Sequence, residues 1–145
     1  MRSRLLAITA GVTLALAMAA CGNGSGVEVS DAWARASAGV QNAGAVYMAI
    51  SAGEADRLVA ASVAPEVAAM AQVHETSMNE DGAMMMGQVS AIDVPSEGSV
   101  ALEPGGFHIM LMELVEPLTD GATFEMELTF ENAGAITVEV EVRDE

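Results

Sequence analysis

The sequence has no lysine and a single cysteine, Cys21, and aromatic residues make up only 3% of its 145 positions. One cysteine cannot form an intramolecular disulfide. Beyond residue 21 there is no thiol for nucleophilic catalysis, redox exchange or metal ligation. With so few aromatics, a core must be built from Val, Leu, Ile, Ala and Met. Cations are scarce as well: five Arg stand against 21 acids, for a formal charge of -16. Such a surface repels nucleic-acid phosphates and anionic lipid headgroups, so neither is an expected partner. It favours cations and basic protein surfaces, and it serves solubility equally well. Motifs of catalysis are also missing. The chain carries no GxSxG, no HExxH and no recognisable Ser-His-Asp order, so no enzymatic activity is expected.

What is present begins with an export signal. Residues 1–20 join a positive MRSR to the apolar run LLAITAGVTLALAM, which is short for a membrane span. The run stops at AAC, a pattern that resembles the lipobox of bacterial lipoproteins, with cleavage before Cys21 and lipidation of that residue. Two acyl chains on Cys21 would suffice for stable anchoring to the membrane. Residues 21–26 then read as the lipidated cysteine and a flexible GNGSG tether, and residues 27–145 as one domain. Loss of the leader leaves three Arg against 21 acids, a formal charge of -18.

The domain is expected to be all-β. VEVSDAWAR, AVYMAIS, DRLVAASV, MAQVHET, AMMMGQV, IDV, SVAL and FHIMLMEL read as strands separated by Gly, Pro, Asn and Asp signals. The last two strands are the clearest. Phe124, Met126, Leu128 and Phe130 alternate with Thr and Glu, and Ile136, Val138, Val140 and Val142 do the same after the NAG turn. Period two with acids on the other face means one buried and one wet side. Many short strands joined this way argue for an antiparallel β-sandwich or small barrel. Trp33, Met48, Met70 and Met126 are expected in the core, and Arg35 and Arg57 beside nearby acids such as Glu54 and Asp56.

Chemistry concentrates between His74 and Met112. That stretch holds both histidines and six of the eleven methionines. Imidazole and thioether are neutral, soft donors that favour Cu(I) over hard cations. Four of them form the pattern His74-x11-Met86-x21-His108-x-Met110. His108 and Met110 are two apart on a strand and leave the same face, and Met112 continues it. His74 and Met86 are placed at turn-flanked strand ends, so that the four could meet at one rim. Met84, Met85 and Met86 are consecutive, which leaves open which of them faces the metal. Glu75 either orients His74 or points to solvent. Zinc rarely takes thioether, calcium and magnesium need oxygen clusters, and a blue-copper electron carrier needs a Cys thiolate. The competing reading is that methionine simply fills the core.

DAWAR, AVYMAI, ADRLVAAS, VHETSM, GAMMM and PGGFHIMLMEL followed by EPLTDG together resemble the periplasmic copper chaperone family PCu(A)C, in order along nearly the whole domain. The resemblance implies a cupredoxin-like fold, a Cu(I) site on His74, Met86, His108 and Met110, and no catalysis. Met85 and Met112 are further candidates, and Met78 matches a frequent family methionine. The first gap here is one residue longer than is usual for the family, which the NEDG turn absorbs. The resemblance also implies an extracytoplasmic protein that delivers copper to the CuA centre of cytochrome c oxidase, directly or with a Sco-type protein. Two other readings use the same residues. One is copper scavenging without a dedicated recipient, and the other is an assembly module whose Met-rich face binds protein.

Overall fold

The structure is a computed structural model that describes residues 26–37 and 42–144. The leader and Cys21 lie outside the described residues. Among those described, all regular structure is β: β1 (Val27–Arg35), β2 (Ala43–Ala52), β3 (Asp56–Val63), β4 (Ala68–Met78), β5 (Met84–Gln88), β6 (Ile92–Val94), β7 (Gly98–Leu102), β8 (Phe107–Leu114), β9 (Thr123–Phe130) and β10 (Gly134–Arg143). Every strand expected from the alternation of residues is present. No helix among the described residues is long and apolar enough to cross a membrane.

The strands form one sheet in the order β5-β4-β8-β7-β2-β1-β10-β9-β3-β6, with β8 also pairing β2. The sheet curls so that β3 comes to lie beside β4, where Ala61–Val63 and Ala69–Gln72 line a common cleft. Pairing is antiparallel except for β1 with β10 and β7 with β8, which run parallel. Sequence alternation carries no direction for strands that are not linked by a turn, and β1 and β10 are such a pair. The core holds Val46 and Ile50 of β2, Ile109 and Leu111 of β8, Leu128 and Phe130 of β9, and Val140 and Val142 of β10. Met48 and Met126 are buried among them as expected. Met70 is not: it is 44% exposed on the outer face of β4.

Trp33 is also outside the core, and the cause is local. Between Ser30 and Trp33, β1 gains one residue over β2, so that Ser30 opposes Ala49 while Trp33 opposes Tyr47. This bulge reverses the alternation. Before it, Val29 opposes the core residue Ile50; after it, Ala34 opposes the core residue Val46 and Trp33 turns outward. Asp31 carries the bulge at φ 48°, and Arg143 Nη1 meets its Oδ1 at 2.9 Å. Trp33 therefore packs on Tyr47, with ring centroids 4.7 Å apart.

The far end of the sheet is tied by Asp56, which is 5% exposed. Its Oδ1 accepts the backbone N–H groups of Arg57 at 2.7 Å and Asn132 at 2.9 Å, and its Oδ2 accepts that of Ala133 at 2.9 Å. Arg57 itself reaches away from Asp56, pairing with Asp93 at 3.0 Å and Glu131 at 3.5 Å. Burial works to raise the Asp56 pKa, but the hydrogen bonds from Asn132, Arg57 and Ala133 together outweigh it and hold the carboxyl below its usual 3.8. A depressed folded value gives stability that is present above the unfolded pKa and is lost as pH falls through the folded one. Asp56→Ala should cost about 1–3 kcal/mol at pH 7, because buried N–H groups lose their acceptor. In urea titrations, the gap between the wild type and this variant should narrow as pH drops below 3.8.

Candidate metal site

Three strands, β5, β4 and β8, carry the candidate donors, and two turns set their alignment. At the β4–β5 turn, the Gly82 N–H donates to the Asn79 carbonyl at 3.0 Å, and Gly82 adopts φ 79°. The Asn79 side-chain Oδ1 accepts the N–H groups of Asp81 at 3.1 Å and Ala83 at 2.8 Å. This is a type I turn closed by a left-handed glycine. It sets His74 opposite Gln88, Thr76 opposite Met86, Ser77 opposite Met85 and Met78 opposite Met84. Side chains directly opposite share a face and alternate along the strand. Met84 and Met86 therefore stand on the His74 face, and Met85 stands on the reverse. The Met85 sulfur is met there by the Asn79 side-chain amide at 3.7 Å.

Before β8, Pro104 and Gly105 form a turn in which Gly106 N–H donates to the Glu103 carbonyl at 3.0 Å, with Gly105 at φ 87°. A positive φ at the second central position is the type II geometry that glycine suits. The strand that follows pairs with β4 so that His108 opposes His74, Met110 opposes Gln72 and Met112 opposes Met70. The face thus collects His74, His108, Met110 and Met86, with Met112 and Met70 at one end and Met78 and Met84 at the other. Sequence reasoning placed His74 and Met86 at strand ends. Both lie within their strands instead, because β4 runs on to Met78 and β5 begins at Met84. The donors occupy a sheet face, not a rim.

The two imidazoles are 5.8 Å apart between ring centroids. His74 Nε2–H donates to Gln72 Oε1 at 3.2 Å, and His108 Nδ1–H donates to the Gly106 carbonyl at 3.1 Å. These partners assign the tautomers. Each ring keeps one unprotonated nitrogen, Nδ1 of His74 and Nε2 of His108. Both atoms are buried and have no hydrogen-bond partner. Buried polar atoms are normally satisfied, so these two orphan lone pairs on neighbouring rings are donors that could hold a metal ion. Among the described residues, no three His, Cys, Asp or Glu side chains gather around any point. The side chains that share this face with the pair include the thioethers of Met86 and Met110.

His108 is 3% exposed, and Tyr47 lies over it with ring centroids 6.4 Å apart. Trp33 backs Tyr47, so the bulge in β1 places both rings on the β2 side of the pair. Met110 lines a cavity of about 350 Å³ together with Arg35 and Tyr47. Arg35 was expected beside an acid, yet among the described residues it forms no ion pair, whereas Arg57 and Arg143 do. Glu75 is not the orienting acceptor of His74. It opposes Phe107 and Gly87 on the reverse face. Gln72 takes that role, and parity could have found it, since a residue two away shares the face and a neighbour never does. The Gly106 carbonyl had no signal beyond the PGG turn itself.

The molecule is thus an all-β, cupredoxin-like domain that presents a neutral His/Met donor face. A family model described as "Putative lipoprotein LpqE-like" matches residues 27–142. The chain belongs to the LpqE-like family. It is 32% identical over 119 residues, 82% of this chain and 70% of the relative, to a protein of Leifsonia xyli subsp. xyli named putative lipoprotein Lxx21020. Among solved structures, the apo PCuAC domain from PmoF1 superposes with a TM-score of 0.70 at 24% identity, covering 83% of this chain and 95% of that one. The copper-bound PCuAC domain from PmoF2 gives a TM-score of 0.66 at 24% identity, over 83% and 94% of the two chains. Apo-DR1885 from Deinococcus radiodurans gives 0.64 at 25% identity, over 100% and 97%, and the same protein is also solved in its Cu(I) form. The fold is that of PCuAC domains, as the sequence resemblance implied.

The His74 pKa lies below its usual 6.5, first because burial disfavours the charged ring and then because His108 stands close by. Folding therefore favours neutral His74. The associated stability is whole above pH 6.5 and is lost as pH falls through the folded value. An NMR titration of the metal-free protein should place the His74 midpoint below 6.5, and His74→Gln should remove part of the stability loss on going from neutral to mildly acidic pH.

Proposed function

We propose that this chain is a Cu(I) chaperone, exported and tethered to a membrane through Cys21, that carries one copper ion on His74 Nδ1, His108 Nε2, Met110 and Met86. The observation that carries the reading is the pair of buried, partnerless imidazole nitrogens on two rings 5.8 Å apart on a methionine-lined sheet. The copper-bound PmoF2 domain and Cu(I)-DR1885, which share the fold, support the choice of metal. The donor set supports it independently. Two neutral imidazoles and thioethers suit a soft monovalent ion.

The same geometry makes the cargo easy to release. Ordinary metal binding by His expels protons. Here Gln72 and the Gly106 carbonyl already hold the protons on the far nitrogens, so copper enters and leaves without proton transfer at the ligating atoms. No anionic ligand holds the ion. An acceptor offering thiolates would outcompete thioethers, replacing them one at a time from the exposed Met86 side, and this sets the direction of transfer. The recipient we infer is the CuA centre of cytochrome c oxidase, reached directly or through a Sco-type protein at the same membrane surface. The lipoprotein names of the family and of the Leifsonia relative are consistent with that location.

Anaerobic titration with Cu(I) against a chromophoric chelator should give one tight equivalent that is lost in the His108→Ala, Met110→Ala double variant. Met86→Leu should weaken it and Met85→Leu should not. Gln72→Ala should lower the affinity by about 10–100-fold, as expected for loss of an outer-sphere partner of a ligating His. No competition with the chelator would end the reading. Tight copper that no oxidase subunit or Sco-type protein can remove would assign the chain to copper scavenging instead.

A further inference from the structure

The donor face continues past the histidines to the tip of the β4–β5 hairpin, where three thioethers remain. Met78 and Met84 stand directly opposite one another in the ladder, and Met86 is the next residue of β5 on the same face. They are 66%, 59% and 55% exposed. Methionine is ordinarily among the buried residues, and this chain does bury Met48 and Met126. Opposite residues in an antiparallel pair have Cβ atoms about 4.5–5.5 Å apart, and diagonal neighbours remain within reach of long side chains. Three flexible sulfur donors therefore share one small patch. Among the described residues no three His, Cys, Asp or Glu side chains form a group that could hold a metal ion, so a hard cation finds no oxygen cluster there.

We propose that Met78, Met84 and Met86 form a second, thioether-only site for a soft monovalent ion, weaker than the histidine site and adjoining it through Met86. The neighbouring pair, Met70 opposite Met112, has Met110 as its corresponding third sulfur, but Met110 and Met112 are both half-buried. The hairpin tip is the more accessible set. Its exposure lets an ion arrive or depart there, and Met86, common to both sets, gives it a path to His74 without passing through free solution. The site stands on the register and exposure of these three residues and does not depend on the histidine pair binding copper.

The test uses silver(I), a redox-inert soft ion, and Cu(I) under anaerobic conditions, read through the ε-methyl NMR signals of the methionines. In the intact chain, a second, weaker equivalent should move the methyls of Met78 and Met84 after the first equivalent is complete. Met78→Leu with Met84→Leu keeps size and apolarity and removes only sulfur. That variant should lose the second equivalent and retain the first. In a His74→Gln, His108→Gln background, the first equivalent should vanish and the shifts of Met78 and Met84 persist. Persistence there with loss in the Leu variant supports the site even if the histidine site proves not to bind. Unmoved Met78 and Met84 methyls in the intact chain, or an unchanged second equivalent in the Leu variant, would overturn it and leave the patch as an apolar docking surface.

Discussion

Everything at the donor face depends on the register of β4 against β8. His108 opposes His74 only because Ile109 and Leu111, the intervening residues, fill the core with no exposed surface. A slip of one residue would exchange the two faces of a strand. It would send His108 and Met110 inward and bring Ile109 and Leu111 out. Burying each such aliphatic side chain contributes about 1.5–3 kcal/mol, so the slip is disfavoured by more than any contact on the outer face could offset. The polar chemistry is thus held in place by apolar residues that never touch it. The turn at Gly82 fixes the register of β5 against β4, and the Thr76 N–H donating to the Gly106 carbonyl at 3.0 Å carries the β4–β8 pairing up to the turn at Gly105.

The donor face is neutral while the chain as a whole is strongly acidic. The acids are placed elsewhere, for example on the exposed side of β9 and β10, where Glu125, Glu127, Glu139 and Glu141 alternate with buried or half-buried Met126, Leu128, Val138 and Val140. Their field extends over roughly a Debye length, about 8 Å at physiological ionic strength. It draws cations toward the molecule without selecting among them. Selection falls to the uncharged donors, where softness decides. A carboxylate beside His74 would blur this division by inviting hard ions, and Glu75, the nearest in sequence, is turned to the opposite face.

Much of this was legible in the sequence because alternation and turn residues are local signals. The ten strands and the same-face relation of His108 and Met110 follow from period two and the Gly, Pro and Asn signals. The choice among Met84, Met85 and Met86 did not follow, since it depends on the number of residues in a turn. The structure removes Met85 from the face and keeps its neighbours. Trp33 was misplaced for a related reason. One inserted residue at Asp31 reverses which side is inward, and nothing in VEVSDAWAR marks it. The parallel pairing of β1 with β10, the partners of Arg57, and the Gly106 carbonyl are long-range or backbone features that side-chain patterns do not encode.

The exposed methionines bear on one last constraint. β5 is an edge strand, and its sequence MMMGQ carries no charge. Open, apolar edges invite pairing with other chains, and proteins usually blunt them with charges or proline. The opposite edge does so: on β6, Asp93 holds Arg57. β5 has no such guard, although the chain has acids in abundance and places Glu80 and Asp81 in the turn just before it. A charge within β5 facing His74 would put an oxygen or nitrogen donor among the sulfurs. An unguarded edge is what a thioether site at this hairpin would require, and the acidic turn close by supplies charge for solubility.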